Sequence, residues 1–230
     1  AYLHGRQSLT DNTWAPGFPS KVTVALGWDT ACPCSGGSVV GFGLTEEQEG
    51  LRDLAHDFAE NEIRPVGAHH DRTGEYPWDV VNKAHELGLL NTHIPERFGG
   101  LGLSALDTAI ISEELAWGCT GIGTAMEANG LALQPVIMGA SDALLEKYVA
   151  PMLDKPIMAA YAVTEPGAGS DVAGMRTIAE KKGDHYILNG SKMWITNAGV
   201  ADWYFVVGYT DREAGYRGMT AFLVEKSWKG

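Results

Sequence analysis

The chain has 230 residues, 45% of them hydrophobic and 20% charged, and carries a formal net charge of −12. That is enough apolar material for a sizeable core in one large domain or two small ones. An acidic balance without a basic stripe excludes phosphate-backbone binding to nucleic acid, and no apolar run reaches the roughly 18 residues needed to span a membrane.

Residues 1–43 have no sustained period. Pro16, Pro19, Pro33 and the Gly36-Gly37 pair punctuate them, and such residues break helices and favour turns. Arg6 and Lys21 stand against Asp11 and Asp29, a poor fit to an Arg-rich, acid-poor mitochondrial transit peptide. The segment reads as a disordered leader, an atypical presequence, or sequence foreign to the mature protein. Cys32, Cys34 and Cys119 are too few for a disulfide framework. Cys32-Pro33-Cys34 lacks the second pair of a zinc site, so free thiols and no metal are expected.

A helical domain is expected over residues 44–156. Thr45 and Gln48 have the spacing of a capping box, in which each side chain satisfies a free N–H at the helix start. Leu51, Leu54, Ala55 and Phe58 then mark one helical face, and Pro65 interrupts it. A second helix runs from about Trp78 with Val81, Ala84 and Leu87 inward and Gly88 as its C′ residue. After a Gly-rich loop, Ser104 caps a third, with Leu106, Ile110 and Leu115 inward. A fourth follows Gly121 to about Met138. Ser141 caps a fifth, with Leu144, Leu145 and Tyr148 inward, and Pro151 or Pro156 ends the helical part. Five helices with short loops make a small all-α domain.

From residue 157 the period shifts towards two. Thr177 to Glu180 and His185 to Leu188 flank Lys181-Lys182-Gly183-Asp184 as a hairpin. Asn189-Gly190 is the strongest short hairpin signal, leading into a strand from Ser191 to Thr196. Further strands are expected over Trp203 to Tyr209 and Met219 to Val224. The fold class is α+β: a helical domain followed, over residues 157–230, by an antiparallel β-barrel or sandwich domain. A sheet of about 70 residues is marginal alone, and more chain is expected to complete it.

The stretch from Met158 to Gly199 is where chemistry concentrates. Gly167-Ala168-Gly169 starts like a dinucleotide fingerprint, but Val172 stands where a third glycine is required and no βαβ unit surrounds it. There is no P-loop, His85-Glu86 has no second histidine to complete a zinc motif, and nothing local ties Ser, His and Asp into a triad. What remains is a turn whose backbone N–H groups and Ser170 hydroxyl could receive phosphate oxygens, or a plain structural turn.

Specific residues go further. Tyr161-Ala162-Val163-Thr164-Glu165-Pro166-Gly167-Ala168-Gly169-Ser170-Asp171 resembles the first signature of the acyl-CoA dehydrogenase family. Lys192-Met193-Trp194-Ile195-Thr196-Asn197 resembles its second flavin-contacting segment, with Trp194 falling 24 residues after Ser170. Asn91 to Glu96, Gly99 to Gly102 and Ile111 to Ala116 also resemble family text. The likeness runs from about Leu44 to Gly230 and is nearest the medium-chain members.

The resemblance implies FAD as cofactor, with Tyr161, Val163, Thr164, Gly169, Ser170, Trp194, Ile195 and Thr196 around it. Thr164 would hydrogen-bond the flavin ring, Trp194 would pack on it and Thr196 would bond near N5. Ser170 would also meet the CoA portion of the substrate. Thr124, Glu127 and Leu131 would line the far end of the acyl pocket. Their spacing places them on one helix face, which core packing would give equally. Gly123 and Ala128 depart from the family pattern there. The implied reaction is α,β-dehydrogenation of an acyl-CoA thioester, medium-chain by resemblance, to a trans-2-enoyl-CoA in fatty acid β-oxidation. Electrons would pass to an electron-transfer flavoprotein, in a mitochondrial-matrix homotetramer. The family's C-terminal helical domain has no counterpart in these residues. Its glutamate base is expected there, so no catalytic residue is assigned, and these 230 residues alone are expected to turn nothing over. The alternatives are a non-catalytic relative that binds FAD or acyl-CoA, or a fragment with no independent activity.

Overall fold

The structure is a computed structural model that describes residues 2–4 and 43–228. The readings made for the rest of residues 1–43, Cys32 and Cys34 among them, lie outside the described residues. Among the described residues, seven α-helices follow the first strand: α1 (Glu46–Phe58), α2 (Arg64–Thr73), α3 (Trp78–Glu86), α4 (Ala105–Gly118), α5 (Thr120–Gly139), α6 (Asp142–Tyr148) and α7 (Pro151–Asp154). The strands are β1 (Tyr2–His4), β2 (Ala159–Ala162), β3 (Ile178–Lys182), β4 (His185–Asn189), β5 (Trp203–Tyr209) and β6 (Met219–Glu225).

Two capping boxes start the helical layer. Thr45 Oγ1 accepts from the Gln48 amide at 3.2 Å, and the Thr45 amide donates back to Gln48 Oε1 at 3.1 Å. Ser104 and Asp107 repeat this at the head of α4. The boxes are joined, because Gln48 Nε2 donates to Asp107 Oδ1 at 2.8 Å. The starts of α1 and α4 are therefore pinned side by side, and the two helices run parallel.

Pro65 does not end the first helical run. A π-helical segment, Ala59–Ile63, connects α1 to α2, and Pro65 sits in the first turn of α2, where its missing N–H is tolerated. Gly118 lies against this segment; a Cβ there would meet Ala59 and Ile63 at 3.0 Å. The inward stripe is narrower than the spacing suggests. Ala55, Phe58, Val81, Ala84, Ile110 and Leu115 are buried, but Leu54, Leu87 and Leu106 are exposed. Leu87 is the C-cap of α3 and Leu106 lies in the first turn of α4, so each sits at a helix end.

Two cores share α5. Its Ile122 and Met126 pack with Phe58, Ile63, Val81 and Leu115. Its Leu133 and Val136 pack with Leu145, Met152, Trp203 and Phe205, joining helices to sheet. β2 lies under α5 with Ala159 and Ala160 fully buried, their small side chains letting the helix approach. A buried amide pair closes this seam. Asn129 Nδ2 donates to Asn91 Oδ1 at 2.9 Å and to the Ile157 carbonyl at 3.1 Å, while Asn129 Oδ1 accepts from the Ala159 amide at 2.8 Å.

The sheet is mixed rather than an antiparallel meander. Its order is β1-β4-β3-β5-β2, with β6 also on β5. β2 runs parallel to β5, pairing Ala159 with Trp203 through Ala162 with Val206. β3–β4, β5–β6 and β1–β4 are antiparallel. The β3–β4 hairpin turns at Gly183 (φ 63) and Asp184, as the sequence suggests. Asn189-Gly190 does not make a hairpin turn, because Asn189 ends β4 and Gly190 lacks positive φ. Gly190 is required for another reason: a Cβ there would sit 2.2 Å from Thr177 Oγ1. Residues 191–196 are consequently a loop and not a strand.

Candidate functional site

The turn after β2 is built on Glu165. The Glu165 amide donates to the Ala168 carbonyl at 2.9 Å and the Ala168 amide returns to the Glu165 carbonyl at 3.1 Å. Pro166 and Gly167 fill the bend, after which Gly169 and Ser170 are exposed. The Glu165 side chain points the other way and is buried. It accepts from the Arg176 and Thr177 amides, from Thr177 Oγ1, and from Lys192 Nζ at 2.9 Å. Burial alone would push this carboxyl up. The hydrogen bonds outweigh burial and hold it at about 2, so it is ionised at neutral pH.

Lys192 makes this brace a cross-link. Its ammonium also donates to the Val163 carbonyl at 2.9 Å, and the next amide, Met193, donates to the Thr164 carbonyl at 3.0 Å. The two motif segments, 161–171 and 192–197, are thereby held side by side. Asn197 ties the second to the helical layer, its Nδ2 donating to the Ala125 carbonyl of α5 at 2.7 Å.

These contacts produce one wall. Val163 is buried and Thr164 and Ile195 are half-buried, whereas Gly169, Ser170 and Thr196 are exposed. Tyr161 is partly exposed and stacks on Phe205, with rings 5.5 Å apart and 3° from parallel. Trp194 stands out with 84% of its surface exposed. Among the described residues, the hydroxyls of Thr164, Ser170 and Thr196 and the amides of Gly169, Ser170 and Thr196 have no protein hydrogen-bond partner. The two joined segments thus carry exposed aromatic surface and free donors.

On α5, Thr124 is exposed, Glu127 half-buried and Leu131 60% exposed. They lie opposite the stripe that faces the cores. Burial raises the Glu127 carboxyl above its ordinary range, and a hydrogen bond from Ser112 only partly offsets this. Ala125, between Thr124 and Glu127, is the residue that touches the wall, through Asn197.

Sequence reasoning missed the Glu165–Lys192 brace and the Asn197 anchor. A signal was present: Glu165 is a lone charge beside apolar strand residues, and Lys192 is the only cation of the second motif. Such residues are seldom buried unless paired. No described group of three or more His, Cys, Asp or Glu could hold a metal ion, and no described helix is long and apolar enough to cross a membrane.

Residues 45–156 match the acyl-CoA dehydrogenase N-terminal domain, and residues 160–230 match the acyl-CoA dehydrogenase middle domain. The chain is 42% identical over 192 residues to the probable medium-chain specific acyl-CoA dehydrogenase 2, mitochondrial, of Caenorhabditis briggsae, covering 82% of this chain and 47% of the relative. It is similar, with TM-score 0.79 and 37% identity, to a structure described as the electron transferring flavoprotein of Acidaminococcus fermentans, over 83% of this chain and 50% of that one. It is also similar, with TM-score 0.77 and 32% identity, to a structure described as PigA with FAD and proline, again over 83% and 50%. The chain spans about half the length of the relatives it matches. The helical layer, strands β3 to β6 and both motif segments lie within the matched regions, and the chain belongs to the acyl-CoA dehydrogenase family.

Proposed function

We propose that this chain forms the flavin-facing wall and part of the acyl pocket of an acyl-CoA dehydrogenase. The reaction is α,β-dehydrogenation of an acyl-CoA thioester, of medium chain length, to a trans-2-enoyl-CoA. Electrons leave through an electron-transfer flavoprotein, and the setting is mitochondrial fatty acid β-oxidation. One observation carries this reading: the Glu165–Lys192 brace sets the two motif segments side by side, with Tyr161, Trp194 and free donors on the open side.

The residues present fit FAD. Trp194 and Tyr161 supply apolar ring surface, and Thr164, Ser170 and Thr196 supply unspent hydroxyls for ring edge and phosphates. When bound, FAD supplies the hydride-accepting chemistry. The chain's own residues hold and orient it. The amides of Gly169 and Ser170 can receive anionic oxygens, and Val163 is buried in the core beneath them. In this reading Ser170 meets the CoA portion as well, and Thr124, Glu127 and Leu131 line the acyl pocket from α5. Glu165 is not the proton-abstracting base, since its oxygens are spent on Arg176, Thr177 and Lys192. We place that base outside these residues, and we place the working assembly as a homotetramer.

A second reading is favoured by exposed apolar surface, with Trp194 open on the wall and Leu131 and Met138 open on α5. The chain would then bind FAD or acyl-CoA without turnover, or act only as part of a larger whole. Purifying the 230-residue chain with FAD, recording its visible spectrum and adding octanoyl-CoA separates the cases. Bleaching of the flavin band establishes dehydrogenation by this chain. Flavin uptake without bleaching favours the second reading, and no uptake defeats both for this chain.

A further inference from the structure

Trp194 adopts φ 60, in the left-handed region. That conformation costs a bulky residue free energy, because its Cβ crowds the backbone carbonyl. Burial does not repay it, since the residue is 84% exposed. A strained residue persists only where its surroundings over-determine it.

Two anchors bracket Trp194. On one side Lys192 is fixed to Glu165 and to the Val163 carbonyl, and the Met193 amide to the Thr164 carbonyl. On the other side Asn197, itself at φ 65, donates to the Ala125 carbonyl at 2.7 Å. The Val200 and Ala201 amides close on the Asn197 carbonyl at 3.0 and 2.8 Å. Asn tolerates the left-handed region, where its short polar side chain can bond locally. Trp194 has no such outlet.

We propose that Lys192 and Asn197 are positioning residues that jointly force Trp194 into the left-handed conformation, so that its ring is presented in advance to a flat aromatic ligand. The ligand's identity rests on the flavin reading above. The strain is the cost of preorganisation: the ring is held out before anything binds, and binding then need not order it. The anchors belong to different layers. Lys192 fixes the loop to the strand-end turn, and Asn197 fixes it to α5, where the Tyr76 hydroxyl bonds the same Ala125 carbonyl at 3.4 Å.

The test compares Trp194→Gly with Trp194→Ala. Both delete the ring, but only glycine accepts positive φ freely. In the flavin-free 230-residue chain, Trp194→Gly is expected to melt at the higher temperature. In an Asn197→Gly or Lys192→Met background the gap is expected to close, because the loop can relax. An absent gap overturns the strain, and a gap that persists in both backgrounds overturns the anchors. For presentation, Asn197→Gly is expected to weaken FAD binding about fivefold, the scale of one aromatic stacking contact, and to reduce the visible circular dichroism of bound flavin. Unchanged affinity and dichroism overturn that role. A wild-type chain that takes up no FAD defeats the flavin reading, and presentation with it. A wild type that binds FAD, with Asn197→Gly binding it equally tightly and with the same dichroism, defeats only this inference.

Discussion

Asn129 Oδ1 accepts the amide proton of Ala159 at 2.8 Å, inside the seam between α5 and β2. Asn129 is 1% exposed, so no water replaces a lost partner. Asn129→Ala strands the Ala159 amide and the Ile157 carbonyl together. It is expected to destabilise the chain by about 3 kcal/mol, read as a lowered midpoint in denaturant unfolding. A midpoint shift worth less than about 1 kcal/mol would show that the seam does not depend on this amide.

The Glu165 carboxyl, held at about 2, lies below the ordinary carboxylate value of 4.5. Its contribution is therefore complete above the unfolded pKa, and it declines as pH falls from about 5 towards 2. Glu165→Gln is expected to cost about 3 kcal/mol at pH 7, because Lys192 is left buried without its anion. Thermal melts between pH 7 and pH 3 should show the variant losing less stability with acid than the wild type. Parallel curves would remove Glu165 from the account of acid sensitivity.

Gly190 is packed against Thr177, with room for hydrogen only. Gly190→Ala is expected to destabilise by about 1–3 kcal/mol through overpacking. Thr177→Ser should not rescue it, since the Thr177 Cα itself would lie 2.7 Å from the added carbon. Recovery of the melting temperature in the double variant would contradict this geometry.

Leu131 is 60% exposed and contributes little to either core. Leu131→Ala is expected to change stability by no more than about 0.5 kcal/mol. If α5 lines the acyl pocket, the same change weakens binding of octanoyl-CoA more than that of butyryl-CoA, measured by calorimetry on the 230-residue chain. Equal losses for both thioesters would place Leu131 outside the pocket.

Much of the fold is legible locally. The Thr45/Gln48 box, the Ser104 cap, Gly88 as a C′ residue and the Gly183-Asp184 hairpin all depend on neighbours within a few residues, and the structure has each of them. Period alone overstated the apolar stripe at Leu54, Leu87 and Leu106, since it is blind to which neighbour covers each position. The parallel pairing of β2 with β5 is a long-range relation with no local mark. Asn189-Gly190 has the composition of a tight turn, yet the glycine answers to Thr177, a contact across the chain. At the candidate site the motifs named the wall. They did not say that Glu165 and Lys192 hold it together, because a buried ion pair is visible only once both segments are folded.

The parallel register of Ala159 with Trp203 also orders events in time. The β3–β4 hairpin closes through a two-residue turn, so it can form early from contacts near in sequence. Joining β2 to β5 must close a far longer loop, which is slower because the chain entropy is lost before the contacts repay it. The turn from Glu165 to Ser170 and the loop carrying Trp194 both lie inside that loop. They are thus expected to order only after the hairpin, when β2 has docked, and the ligand-facing wall becomes a late product of folding rather than its nucleus.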